Sequence, residues 1–589
     1  MRWRRALVVG LSAISVAAAC SRTGATPGDS QTAASAAVTP VRGAGGDLRI
    51  LYWQAPTILN PHLATGSKDI DPARLVLEPL ASWDADGKPL ANGLAAQIPT
   101  IANGGVSKDL TTVTWTLRGG VKWSDGTEFS ADDVVFTYEY VKGLKNRSES
   151  SSHSIAGVRS VVAKDPLTVV VTYERPTPFY YQWGVGSPSV IIQRAQFGAF
   201  TGEKVKDAPG NLKPIGTGPY KVVDFRPGDR VTYELNERFR DPNKPFFKTV
   251  SWKGGGDAVG AARAVFQTGD VDYAWSLAFG GADPVLKQMV QTSTTGDLLT
   301  VYGPVVEHVL INFANPDPAL GERRGEPGTT HPFLTDVAVR RALAMATDRT
   351  AVGDLYGPGL TGKATCNILT APMAVVSTNT SVLDVCRFDL AAANAELDKA
   401  GYVRGPDGVR SKNGVRLELT FQTTVVPVRQ QTQNILKANW EKVGFKVTLK
   451  AVPASTYFTN TSPESANHFW ADLEMYSSDG DPDPTSYIRE QWGTAEAASK
   501  ANAWNGTNYA RYSNAELDRT IADLATETDE VKRNSLFIAA NDHLVRNVVV
   551  IPLVQRAFPI SGKAKALKGV KPTAGGWDSE MYNVADWTK

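Results

Sequence analysis

Three observations make the sequence an α/β protein. Stretches that alternate apolar and polar residues recur along its 589 positions, as in Asp47 to Gln54 (DLRILYWQ) and from Tyr220 onward. Between them lie segments with apolar residues at helical spacing, several opened by capping residues. The composition, 42% apolar and 21% charged, is that of an ordinary globular chain long enough for two or three domains. Helices and strands interleave throughout, and no internal repeat is visible.

In chain order, Asp47 to Gln54 ends before Pro56 and reads as an opening strand. Strand Val113 to Leu117 and a turn at Ser124 to Gly126 lead to Ser130, which with Asp133 forms a capping-box-like helix start. Val134, Val135, Tyr138 and Val141 then share one face, as core packing requires. In GTGPYKVVDFRPGDRVTYELN, Gly216 and Gly218 are free to take positive φ while Pro219 fixes its own. A sharp reversal feeding Tyr220, Val222 and Phe225 into a strand is expected there. Asp389 caps a helix over Leu390 to Ala400, which Gly401 stops. Arg429 to Val443 carries Ile435, Leu436, Trp440 and Val443 at helical spacing, and strand Phe445 to Val452 follows at once. Ser513 with Glu516 suggests another capping box. Asp529 to Arg546 sets Leu536, Phe537, Ala540 and Leu544 on one face, and Val548 to Leu553 (VVVIPL) reads as a buried strand.

The N-terminus, MRWRRALVVGLSAISVAAAC, places Arg2, Arg4 and Arg5 before a run of apolar or small residues, Ala6 to Ala19, and then Cys20. The run is short of the roughly 20 residues that span a bilayer and fits the apolar region of a secretory signal over residues 1–19. Ala17, Ala18, Ala19 and Cys20 resemble a lipobox, with Ala17 where Leu is commoner; lipid attachment at Cys20 is expected, and ordinary cleavage nearby or an uncleaved anchor are the alternatives. Ser21 to Gly45 is small, polar and broken by Gly and Pro, too poor in apolar surface to offset its ordering entropy. As a coil, this tether would reach about 25 to 30 Å. The formal charge is +2, and losing the three leader arginines would lower it by three units, to −1. That balance argues against nucleic acid as partner. Cys366 and Cys386, an even pair in an exported chain, read as a disulfide; no His or further thiol stands near them at metal-ligand spacing.

Five segments in order carry a resemblance. GTGPY at Gly216 to Tyr220, TWTLRGGVKWSDGTEFSADDVVFTYEYV at Thr114 to Val141, and DVAVRRALAMATDR at Asp336 to Arg349 are three of them. FDLAAANAELDKAGY at Phe388 to Tyr402 and the block Trp470 to Tyr487 are the others. Together they resemble family 5 of the extracellular solute-binding proteins, which includes the dipeptide- and oligopeptide-binding lipoproteins of ABC importers. The resemblance implies a two-lobed, class II periplasmic-binding-protein-like fold with an inserted subdomain and a ligand cleft between the lobes. Lobe I would take residues 46–80, 216–312 and 553–589, the inserted subdomain 81–215, and lobe II 313–552. The crossings near Asn312 and Pro552 would form the hinge. It further implies a monomer, held outside the cell membrane by its lipid, that captures short peptides and delivers them to a permease without a cofactor.

Such a cleft needs apolar walls and a countercharge for the peptide's ammonium, because an uncompensated buried ion costs several kcal/mol or more. Tyr476, Ser477, Ser478 and Asp479 resemble the family segment whose Asp holds the α-ammonium. Family members place Pro four residues after that Asp, whereas here Pro482 and Pro484 stand three and five after Asp479, so a solvated acidic turn is the alternative. Asp479, Asp481, Asp483 and Glu490 also match positions of a calcium loop, but Pro484 occupies the position where that loop needs Gly. Tyr476, Ser478, Trp275, Trp53 and Trp470 are the other candidate ligand contacts, each with core packing as the alternative. His308, in VEHVLINF, reads as a structural histidine. No GxSxG, P-loop, HExxH or CxxC occurs, so no enzyme is indicated; a cell-surface peptidase or hydrolase stays the rival of another class. Opines, oligosaccharides, metal complexes or haem are the rival ligands, and an interaction protein signalling peptide availability is a third reading.

Overall fold

The computed structural model describes residues 41–64, 66–144, 154–277, 284–357, 360–372, 376–478, 480, 483–573 and 577–589. The leader, Cys20, most of the tether and Asp479 lie outside these residues.

An eleven-stranded mixed sheet organises the chain. Its strands are β1 (Asp47–Tyr52), β2 (Tyr220–Arg226), β3 (Arg230–Leu235), β4 (Thr249–Gly254), β5 (Tyr273–Trp275), β6 (Gly296–Ile311), β7 (Gly362–Ala364), β8 (Glu418–Thr424), β9 (Lys446–Val452), β10 (Leu473–Ser478) and β11 (Val550–Ala564). The spatial order is β9-β8-β10-β6-β11-β5-β1-β4-β3-β2, with β7 also on β11. Two strands are far longer than the rest, β6 at 16 residues and β11 at 15. They run antiparallel as a ribbon whose two ends serve different neighbours. At one end β11 pairs with β5 through Tyr273 and Lys563; at the other β6 pairs with β10 from Val306 to Ile311. The ribbon's pairing shifts between Thr300 and Tyr302, between Tyr302 and Val306, and between Glu307 and His308. Gln555 donates across this irregular stretch to the Gly303 carbonyl at 2.9 Å.

Separate cores flank the two ends. Tyr52, Tyr220, Tyr233, Trp252 and Trp275 pack together around β1 to β5, and Leu343, Leu436, Trp440, Phe421 and Met475 around β8 and β10. A further three-stranded sheet, Thr112–Thr116, Thr168–Tyr173 and Val158–Asp165, packs with helix Ala131–Lys142. That helix has the predicted capping box of Ser130 and Asp133. Among the described residues no helix is long and apolar enough to cross a membrane.

The glycines of the GTGPY turn act differently from the expectation. Neither Gly216 nor Gly218 has positive φ. A Cβ on Gly216 would lie 1.9 Å from the Val76 carbonyl oxygen, and one on Gly218 would lie 2.7 Å from those of Leu75 and Val76. These glycines admit a close backbone approach, closed by the Gly218 N–H donating to Val76 at 2.9 Å. The segment Asp336 to Arg349 is not one helix but two, Val337–Met345 and Arg349–Leu355, because Asp348 caps a fresh start by accepting from the Ala351 N–H. Asn514, not Ser513, caps helix Ala515–Leu524, its Oδ1 accepting from the N–H groups of both Glu516 and Leu517. The strand expected at Val548 begins at Val550, since Val548 has φ of 45°, and continues to Ala564. Cys366 and Cys386 are joined, with an S–S distance of 2.01 Å.

Candidate ligand-binding site

Strands β8 and β10 run parallel, and their carboxyl ends, Thr424 and Ser478, lie at one edge of the sheet. Helix Pro427–Lys442 starts three residues beyond β8, with Pro at its first position where no N–H is needed. In α/β sheets this edge is where ligands bind, because adjacent connections leave it in opposite directions.

On β10, Tyr476 and Ser478 point to one face and Ser477 to the other. Register fixes their neighbours on β6: His308 stands opposite Tyr476, and Val306 opposite Ser478. The His308 ring meets the Tyr476 ring at 4.8 Å, edge on. Tyr457, Phe458 and Tyr509 surround Tyr476 at 6.1, 6.1 and 6.3 Å. Phe458 is half exposed, an aromatic rim to a buried group. His308 is wholly buried and donates its Nδ1–H to the Val306 carbonyl at 3.0 Å, which leaves Nε2 as a lone-pair acceptor. Burial lowers its pKa and keeps the ring neutral. Among the described residues, His308 Nε2, the Tyr476 hydroxyl and the Ser478 hydroxyl have no hydrogen-bond partner although all three are buried. Bare buried polar atoms occur elsewhere among the described residues, but these three share one face at the carboxyl edge of β10, where they are placed to meet other atoms. Two residues back on the same face, burial lifts the Glu474 carboxyl to about 8, while Gln422 donates to it at 3.0 Å.

The opposite face carries charge. Arg429, in the first turn of helix Pro427–Lys442, donates to Glu307 at 2.6 and 3.2 Å and to the Ser477 hydroxyl at 3.2 Å. Arg556 of β11 approaches Glu307 and Ser477 at 3.4 Å. Burial alone would raise the Glu307 carboxyl; the charges of Arg429 and Arg556 outweigh it and hold the pKa below the usual range. Two guanidiniums on one carboxylate leave an excess positive charge at the strand ends.

The predicted contacts do not all gather here. Tyr476 and Ser478 belong to this edge. Trp275 is buried on β5, stacked on Tyr52 at 4.7 Å with Trp53 at 6.2 Å, and Trp53 donates its indole N–H to the Ser276 carbonyl. Trp470 packs on His468 at 5.1 Å and under the Arg324 guanidinium at 4.4 Å. His308, Glu307, Arg429 and Arg556 escaped sequence reasoning. A histidine inside an apolar strand looks structural, and no local pattern ties an arginine at 429 to a glutamate at 307.

The site offers acceptors, hydroxyls and a cationic flank. Residues 81–499 match the bacterial extracellular solute-binding proteins, family 5, and the chain belongs to that family. Members are substrate-binding proteins, not enzymes. The oligopeptide-binding protein AppA of Bacillus subtilis is 23% identical over 492 residues, 82% of this chain and 81% of its own. The nickel-binding periplasmic protein of Escherichia coli is 28% identical over 402 residues, 66% of this chain and 68% of its own. The structure of B. subtilis AppA in complex with a nonapeptide superposes with a TM-score of 0.66 at 20% identity, covering 93% of this chain and 99% of that one. The fold is thus the two-lobed periplasmic-binding fold, mixed α/β, with the β6–β11 ribbon common to both ends of the sheet.

Proposed function

We propose that this protein captures short peptides between two lobes and delivers them to the permease of an ABC importer. The observation that carries the reading is the set of bare, buried polar groups, His308 Nε2, Tyr476 and Ser478, on one face of the strand edge, with the Arg429–Glu307–Arg556 cluster on the other. A peptide brings N–H donors and an ammonium for the first group and a carboxylate for the second. Asp479, one residue past β10, is proposed as the countercharge for the ammonium, and Trp275, Trp53 and Trp470 as wall residues. The lobes are proposed as residues 46–80, 216–312 and 553–589 against 313–552, with 81–215 inserted. The crossings near Asn312 and Pro552 are proposed as the hinge, a few residues from the stretch where the ribbon's pairing shifts. Residues 1–19 are proposed as a leader and Cys20 as the lipid-bearing residue, followed by the tether to Gly45; the mature protein is proposed to act as a monomer. Native mass spectrometry of the protein as purified tests the ligand class. A mixture of short peptides is expected; a single non-peptide solute overturns the reading.

One observation favours a second ligand. An imidazole whose Nδ1–H is fixed by a carbonyl while Nε2 is bare is the arrangement used by metal-binding histidines. Among the described residues no group of three metal-ligating side chains exists, so a metal would have to arrive as a chelate. Calorimetric titration with nickel-histidine, giving saturable heat that His308→Ala abolishes, would favour this reading over peptides.

A further inference from the structure

Among the described residues the indole N–H groups of Trp53, Trp123, Trp440, Trp577 and Trp587 are bonded and others are not. The N–H groups of Trp115, Trp183, Trp252, Trp470 and Trp492 are buried without a partner, whereas that of Trp577 donates to the Gly480 carbonyl at 2.7 Å. Gly480 lies two residues past the end of β10, and Trp577 lies almost a hundred residues further on. The bond therefore ties the C-terminal segment to the main chain that follows Tyr476 and Ser478.

The other side of Trp577 packs against the 81–215 segment. A Cβ on Gly87 would come within 2.7 Å of the Trp577 ring, and one on Gly186 within 2.5 Å of the Trp577 carbonyl oxygen, so Gly87 seats the indole and Gly186 its main chain, both from the 81–215 segment. Its neighbour Asp578 accepts from the Ser187 hydroxyl at 2.7 Å and the Trp83 N–H at 3.2 Å, and Arg74 lies 3.6 Å away. Glu580 accepts from the Ser561 hydroxyl of β11 at 2.8 Å. Residues 577–580 are thus anchored to helix Ser67–Arg74, to the 81–215 segment and to the ribbon, and Trp577 extends that anchorage to the strand that bears the candidate site.

We propose that Trp577 is a positioning residue: through the Gly480 carbonyl it fixes the end of β10, and so the placement of Tyr476 and Ser478 against a bound solute. The proposal rests on the peptide-binding reading for its functional consequence but not for its structural one. The test compares the wild-type protein with Trp577→Phe and with benzothienylalanine at 577, which keeps the indole's shape and replaces N–H by sulfur. Trp183→Phe, at an indole whose N–H has no partner, controls for the loss of ring volume. The probe is the peptide most enriched by the wild-type protein from a random pool of tri- to nonapeptides. Loss of one neutral hydrogen bond should raise koff about tenfold for both 577 variants and leave the Trp183→Phe value within about twofold. Amide exchange at residues 476–480, followed without peptide, should quicken in both 577 variants and not in the control. Unchanged exchange and unchanged koff in the benzothienylalanine protein would overturn the proposal. A pool from which nothing is enriched would instead count against the peptide reading, and the exchange measurement would still decide on Trp577.

Discussion

Glu307 accepts the Arg429 Nε–H at 2.6 Å on the face of β6 turned away from Tyr476, and both side chains are almost wholly removed from solvent. The pair joins the long ribbon to the helix that starts at the carboxyl edge of β8. A buried ion pair adds little over an apolar pair of equal volume, yet breaking it from one side is costly.

Glu307→Gln should therefore lower unfolding free energy by about 3 to 5 kcal/mol, because Arg429 keeps its charge and loses its counterion. The double variant with Arg429→Met should recover much of that loss. Urea titration of the four proteins reads the coupling; a Glu307→Gln protein within about 1 kcal/mol of wild type would show that the pair does not work as a buried salt bridge.

Stability should fall with rising pH through Glu474. Burial holds its folded pKa at about 8, above the ordinary 4.5, so the folded state keeps a proton that the unfolded chain gives up. The associated stability is fully present below about 4.5 and is lost as pH rises through about 8. Glu474→Gln, which retains a partner for Gln422, should flatten the melting temperature between pH 5 and 8 and raise it at pH 8. Equal slopes in the two proteins would contradict the assignment.

Gly216→Ala should be among the most damaging small substitutions in the chain. The added methyl would meet the Val76 carbonyl oxygen at 1.9 Å, a backbone atom that cannot swing aside. A loss of about 3 kcal/mol or more is expected, measured by thermal denaturation, whereas Gly228→Ala, with open space at its Cβ, should cost only the strain of its positive φ.

Removing the Cys366–Cys386 bridge should cost about 3 kcal/mol by the chain-entropy argument for a loop of this length. Unfolding of Cys366→Ser/Cys386→Ser against the oxidised protein checks it. A difference under about 1 kcal/mol would mean that the loop Asn367 to Val385 is already ordered without the bond.

How much was legible in the sequence depended on how local the determinant is. Caps and apolar stripes were readable: Asp389, Ser130 with Asp133, and the helix bearing Leu436 and Trp440 lie where periodicity put them. The α/β class and the family followed from motifs of contiguous residues. What escaped is long-range. The reason for Gly216 is the backbone of Val76, some 140 residues earlier, and the partner of Arg429 is Glu307, separated by 122 positions. The length of β6 and β11 was missed because a strand that changes its pairing partners midway has no single alternation to read. Tyr476 and Ser478 were found through a resemblance in one short segment, whereas His308 was passed over because burial in an apolar strand is what most histidines of that kind need no ligand to explain.

The central claim is that a peptide is held by its ends at the carboxyl edge of β8 and β10. The most direct test is calorimetric titration of the mature protein with the best-retained peptide, its N-acetylated form and its C-terminal amide. The account predicts that each blocked form binds at least about a hundredfold more weakly than the free-ended peptide, since each removes one of the two end charges by which the peptide is proposed to be held. Three equal affinities, or no binding by any of them, would contradict it.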